Sequence, residues 1–241
     1  MLELKNISYV VEDSKGIIKD ISLTIDDNKF IVITGPNGGG KSTLAKIICG
    51  ILKPTSGNII LDGKDITDMS ITERAKIGIS FAFQQPVRFK GVTVKDLINL
   101  AAGKKLCTAD ACNYLSEVGL CAKDYIDREV NGSLSGGELK RIEIATVIAR
   151  KTKLSIFDEP EAGIDLWSFK NLIEVFQKMH DEIHGSIIII SHQERILNIA
   201  DEIIVIANGE IVNKGTREEV LDSLLDDSVS SPGCSVLREE R

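Results

Sequence analysis

The run Gly35-Pro36-Asn37-Gly38-Gly39-Gly40-Lys41-Ser42, followed by Thr43, has the composition of a phosphate cradle. It fits the spacing G-x-x-x-x-G-K-[ST]. Glycines let the backbone curl until successive N–H groups point inward at phosphate oxygens. Lys41 brings a charge toward the β- and γ-phosphates of a nucleoside triphosphate, and the Ser42 hydroxyl can ligate Mg²⁺. Downstream, Phe157-Asp158-Glu159-Pro160 ends an apolar run with two carboxylates. Asp158 there suits Mg²⁺ through its water shell, and Glu159 suits the orientation and polarisation of an attacking water. A solvated acidic turn is the plainer alternative. Ser135-Gly136-Gly137 offer a hydroxyl and bare backbone N–H groups where a helix begins, a second anion site. One chain holds one triphosphate in its own loop, so a second γ-phosphate site implies service to another chain. The plainer alternative is an ordinary N-cap. His192, in Ser191-His192, follows another apolar run and can contact a γ-phosphate. Gln84 ends a third such run within reach of Mg²⁺, with Gln85 beside it as the alternative.

These groups need a scaffold that presents them together. Phe30-Ile31-Val32-Ile33 reads as a buried strand feeding the loop, and Leu44 to Cys49 as a helix whose positive end faces the phosphates. Leu2 to Val10 and Ile17 to Ile25 alternate as antiparallel strands around a turn at Glu12 to Gly16. Asn58 to Leu61 meets Asp62-Gly63, a hairpin signal, and Ser70 with Glu73 forms a capping box. Ile77 to Phe83, Leu154 to Phe157 and Ser186 to Ile190 are continuous apolar runs, suited to strands buried on both faces. Leu172 to Met179 reads as the helix between the last two. Ile203 to Ile206, Asn208-Gly209 and Glu210 to Val212 read as a final hairpin. Thr216 and Glu219 cap a last helix. The fold class expected is α/β, a mixed and mostly parallel sheet with N-terminal antiparallel strands and an inserted helical subdomain. Residues 1–86 and 151–227 make the core and residues 87–150 the helical subdomain. The polar tail 228–241 is expected to be mobile.

Composition bounds the function. The chain has 241 residues, 43% hydrophobic, which suits one domain or one core with a smaller subdomain. A net charge of −7 argues against a nucleic-acid partner. No apolar window reaches the ~18 residues that span a bilayer, so no direct membrane insertion is expected. Met1 to Lys5 already reads as a strand, with no signal peptide before it, so the expected location is cytoplasmic. Cys49, Cys107, Cys112, Cys121 and Cys234 include no C-x-x-C pair and read as reduced, mostly buried thiols. His180 and His184 read as surface residues.

In the order phosphate loop, Phe83-Gln84-Gln85-Pro86, Leu134 to Glu138, Phe157 to Pro160, Ala162-Gly163-Ile164-Asp165 and Ser191-His192, the chain resembles an ATP-binding cassette ATPase. The resemblance implies ATP and Mg²⁺ as ligands and ATP hydrolysis as the reaction. It places Gln84 as a Mg²⁺ contact that reports nucleotide state to the helical insert, and Asp165 in a nucleotide-facing turn. It also implies a head-to-tail dimer with a second copy, each ATP lying between one phosphate loop and the other chain's Ser135 to Gly137. Phe81 to Pro86 with Gly91-Val92, Ser133 to Ile144, and His192 to Leu197 resemble the Suf-type iron–sulfur cluster assembly ATPases, SufC-like. Transport cassettes usually carry Gln where Glu138 sits. Three positions depart from the pattern: Ala162 replaces the usual Ser, Pro160-Glu161 is closer to ordinary cassettes, and no aromatic sits clearly at the adenine-stacking position, with Glu12 near it and Tyr9 a few residues off.

On that resemblance the chain is expected to drive conformational change in soluble SufB/SufD-like scaffold proteins docked on the helical subdomain, with Arg88 to Val92 as the contact strip. The alternative is the cytoplasmic ATP-binding subunit of a membrane transporter. A chromosome-associated ATPase head would need a long coiled coil between the motifs, and the sequence has none.

Overall fold

The computed structural model describes residues 1–11, 16–182 and 185–220, with side chains except those at 166–168. The turn expected at 12–15, His184, Cys234, the body of the last helix and the tail lie outside the described residues.

Strand alternation builds the N-terminal layer. β1 (Leu2–Tyr9) and β2 (Ile18–Ile25) pair antiparallel, Leu2 opposite Ile25. β4 (Ser56–Leu61) pairs with the other edge of β1, and β5 (Lys64–Asp65) returns through Asp62-Gly63. Both turn residues have positive φ, 52° and 77°, the geometry that an Asp-Gly hairpin favours. The order is β2-β1-β4-β5.

The second sheet joins β3 (Phe30–Thr34), β6 (Ile79–Ala82), β7 (Leu154–Asp158), β8 (Ser186–Ile190), β9 (Glu202–Ala207) and β10 (Glu210–Thr216), in the order β10-β9-β3-β8-β7-β6. All its pairs are parallel except β9 with β10. The antiparallel N-terminal strands thus form a sheet of their own instead of extending the mixed one. The cause is the two-sided burial of the central strands. Ile31, Ile33, Ile188, Ile190, Ile204 and Ile206 share an apolar cluster with the N-terminal sheet and helix α1 (Lys41–Cys49). Their neighbours Phe30, Val32, Ile187, Ile189, Ile203 and Val205 pack into a second cluster on the opposite face. The period of two in strands makes both faces core.

The helices fill the remaining sides. α2 (Ile71–Lys76) starts at the expected Ser70–Glu73 capping box. α3 (Val94–Ala102), α4 (Thr108–Glu117), α5 (Ala122–Tyr125) and α6 (Gly136–Arg150) form the helical subdomain, and their apolar faces join the second cluster. α7 (Leu166–Glu182) bridges β7 and β8, and α8 (Glu194–Leu197) follows β8. Among the described residues, no helix is long and apolar enough to cross a membrane.

Three expectations need correction. β6 is shorter than Ile77 to Phe83, because Gly78 turns at φ 102° and Phe83 leaves the ladder. The cysteines are not mostly buried: Cys49 is, but Cys107 and Cys121 are exposed at the N-caps of α4 and α5. Cys107 is held there because its sulfur accepts the Asp110 N–H at 3.3 Å. His180 is only 27% exposed, its ring edge-on to Phe30 and its Nε2 3.5 Å from Asp201.

Candidate active site

Four adjacent parallel strands end in the residues singled out from the sequence. β3 delivers residues 35–40, β8 delivers Ser191-His192, β7 delivers Asp158-Glu159, and β6 runs out to Phe83-Gln84. The carboxyl edge of a parallel sheet is where α/β folds bind ligands.

The loop itself depends on glycine. Gly35 sits at φ 128°, and a Cβ there would stand 2.1 Å from the Ile206 carbonyl oxygen. Gly40 caps α1 at φ 106°. Pro36, Asn37 and Gly38 are exposed on the loop, while Gly39 and Gly40 are buried. Gly39 accepts the Gly209 N–H at 3.0 Å, which ties the loop to the β9–β10 turn. Thr43 is half-buried in the first turn of α1.

Lys41 is buried, and its Nζ donates to the Gly35 and Pro36 carbonyls at 2.8 and 2.9 Å. Burial lowers its pKa, and the charges of Glu159 and Asp158 oppose that shift. Ser42 Oγ donates to Asp158 Oδ1 at 2.8 Å, so two of the three expected Mg²⁺ ligands meet across 116 residues of sequence. Asp158 is 2% exposed, and desolvation raises its pKa against the Ser42 hydrogen bond.

Glu159 turns sharply out of β7 at φ 46°, with its N–H donating to Ile190 O at 3.0 Å. That turn sends its carboxylate to Gln84, whose Nε2 donates to Glu159 Oε2 at 2.6 Å. His192 is exposed at the same edge. Partial desolvation and the nearby Lys41 charge hold its pKa below the usual histidine value, and Glu159 pulls the other way.

Ser135 begins α6 as a full capping box: its Oγ accepts the Glu138 N–H at 3.2 Å, and Glu138 accepts the Ser135 N–H at 2.7 Å. Glu138 also accepts Tyr125 Oη, which lowers the carboxyl's pKa. The N-cap reading of Ser135 holds, and the cap leaves Ser135 and Gly136 exposed. A Cβ on Gly137 would lie 3.2 Å from Gly163 O, so this helix start abuts the turn that leads to the exposed Asp165.

Two pairs beside the site, each joining a buried residue to a half-buried glutamate, were not foreseen. Ser191 Oγ donates to Glu161 Oε1 at 2.5 Å and accepts the Gln193 N–H at 3.0 Å, which fixes the chain on both sides of His192. Lys140 and Glu143 point inward from α6. The signal for the second pair was available: both fall on the stripe that continues at the buried Ile144 and Val147.

A family model described as "ABC transporter" matches residues 18–162. The chain belongs to the ABC transporter family. An uncharacterized ABC transporter ATP-binding protein of Methanocaldococcus jannaschii is 40% identical to the cassette over 220 residues, covering 88% of each chain. The energy-coupling factor transporter ATP-binding protein EcfA2 of Clostridium acetobutylicum is 31% identical over 247 residues, covering 98% of the cassette and 85% of that protein. A solved ATP-binding cassette, described as a dimeric post-hydrolysis state bound to ADP and Pi, superposes with a TM-score of 0.81. It shares 24% identity and covers 90% of the cassette and 99% of its own chain. The fold is accordingly that of an α/β P-loop cassette, and membership of the family makes the chain an ATP-hydrolysing ATPase.

Proposed function

We propose that the cassette is the Mg²⁺-dependent ATP-hydrolysing subunit of a membrane transporter, acting from the cytoplasmic side as a head-to-tail pair with a second copy. The observation that carries the chemistry is the meeting of Ser42 with Asp158 and of Gln84 with Glu159 at neighbouring strand ends. Their donors suit Mg²⁺, which favours oxygen ligands and takes one or two carboxylates together with phosphate oxygens. Ser42 and Asp158 would hold the ion, with Gln84 beside them. When bound, it neutralises charge on the β- and γ-phosphates.

The chain's own residues supply the rest. The N–H groups of residues 35–43 and the Lys41 ammonium orient the triphosphate. Glu159 holds and polarises the water, and Gln84 holds Glu159. His192, exposed at the same strand edge, can donate from its imidazole N–H to a γ-phosphate oxygen. Ser135, Gly136 and Gly137 of the second copy face the same γ-phosphate, with Asp165 at the turn between the two sites. The dimeric state of the superposed cassette supports this pairing.

The names of the relatives favour a transporter partner over a Suf-type scaffold, reversing the order in which the motifs ranked them. The Suf-type reading keeps one specific support, the Ser133 to Ile144 stretch with Glu138 in place of Gln. Copurification from native cells in mild detergent separates the two. An integral membrane protein is expected, and soluble partners alone would reinstate the scaffold reading. Arg88 and Lys90 are exposed between β6 and α3. Reversing both charges is expected to weaken partner capture and leave ATP affinity unchanged, as read by pull-down and equilibrium nucleotide binding.

A further inference from the structure

Helix α6 turns two charged side chains into the protein. The Lys140 side chain is 0% exposed and the Glu143 side chain 14%, with 3.5 Å between Nζ and Oε2. Both address one residue. Glu143 Oε1 accepts the Phe83 N–H at 2.9 Å. Lys140 Nζ donates to the Phe83 carbonyl and lies 3.4 Å from the Gln84 carbonyl. Phe83 stands beyond the last β6–β7 register pair, Ala82 with Phe157. The next residue, Gln84, donates to Glu159.

Stability gives no reason for charges here. Removing a lysine and a carboxylate from water costs several kcal/mol per ion, and a well-packed apolar pair of similar volume is often as stable or more so. Desolvation lowers the Lys140 pKa and raises that of Glu143, each opposed by the partner's charge. Among the described residues Glu143 Oε2 has only its 3.5 Å ion pair with Lys140 Nζ and no hydrogen bond beyond it. What the pair does that leucines could not do is hold the N–H and the C=O of Phe83 at once. Gripping both fixes the two peptide planes on either side of the Phe83 Cα, the second of which carries Gln84.

We propose that Lys140 and Glu143 are positioning residues for hydrolysis: they clamp the backbone on both sides of Phe83 to α6 so that Gln84 meets Glu159. The inference rests on Glu159 as the group that prepares the water.

The test uses the full chain. Lys140→Met/Glu143→Leu is expected to keep its Tm and its ATP affinity, with kcat lower by about 10- to 100-fold, the scale of a small misplacement at a reacting centre. A structural role would instead lower Tm and leave kcat per folded molecule unchanged, which overturns the proposal. In a Gln84→Ala background the same double replacement should lower kcat no further, because both changes act through one contact. Losses that multiply overturn the clamp. If the apolar pair does not fold, Lys140→Gln/Glu143→Gln retains an uncharged donor and acceptor for the same two peptide groups. Its kcat should stay close to wild type, and a drop of about tenfold or more overturns the clamp. Full turnover by Glu159→Gln would overturn the assignment of the water-preparing group, whereas an inactive Glu159→Gln with multiplying losses overturns the clamp alone.

Discussion

Lys41→Ala is expected to lower ATP hydrolysis by about 100- to 1,000-fold while the purified chain remains folded. The ammonium already lies at the mouth of the phosphate loop, held by two loop carbonyls. Those bonds align it before any phosphate arrives, so little reorganisation is needed as charge builds on the γ-phosphoryl group. Preorganised donors of this kind are worth about 3–4 kcal/mol each in the transition state. Stability should respond far less, because two effects oppose each other. Losing the donor leaves two carbonyls to find water, at about 1–3 kcal/mol per unpaired group if they stay dry. Removing a lysine whose pKa burial has already lowered relieves a desolvation cost. Phosphate release and a thermal melt on the same preparation measure both quantities. Wild-type turnover with Lys41→Ala would overturn the role given to the loop.

The sequence made the strands legible where burial was two-sided. Ser186 to Ile190 is entirely buried, so its apolar run admits no other strand reading. The phosphate loop was legible for a different reason: its chemistry is local, and a contiguous stretch contains the whole of it. The Gln84–Glu159 hydrogen bond was not legible, because it depends on β6 lying next to β7, and pairing order leaves no mark in either strand. The separate N-terminal sheet was missed for the same cause. Lys140 and Glu143 were hidden by residue type. At i and i+3 on a helix they look like a solvated surface pair, and only the burial of their stripe-mates distinguishes them. His180 failed similarly, since a polar residue on a helix gives no notice that its ring covers Phe30.

Glu159→Gln is expected to bind Mg-ATP, hydrolyse it very slowly, and assemble into a dimer that persists. The substitution keeps the shape and removes the group that polarises the water. Gln84 can still hydrogen-bond to the new side-chain amide oxygen, so the site's geometry survives. An intact γ-phosphate then remains in place, and in the proposed pairing it is the ligand that Ser135 and Gly137 of a second chain would meet. Without it, two chains of net charge −7 repel each other. With it, each interface gains charge-assisted hydrogen bonds from a helix N-terminus, and binding to the closed state alone shifts the population toward the dimer. Ser135→Arg should abolish that dimer by filling the anion site with a long side chain. It replaces an N-cap, at a cost of about 1 kcal/mol, but leaves the chain's own phosphate loop untouched. Sedimentation of Glu159→Gln with and without Mg-ATP, alone and combined with Ser135→Arg, reads the result. A monomer at saturating ATP, with the partner protein present, contradicts the sandwich. A dimer that survives Ser135→Arg places the contact elsewhere on the surface.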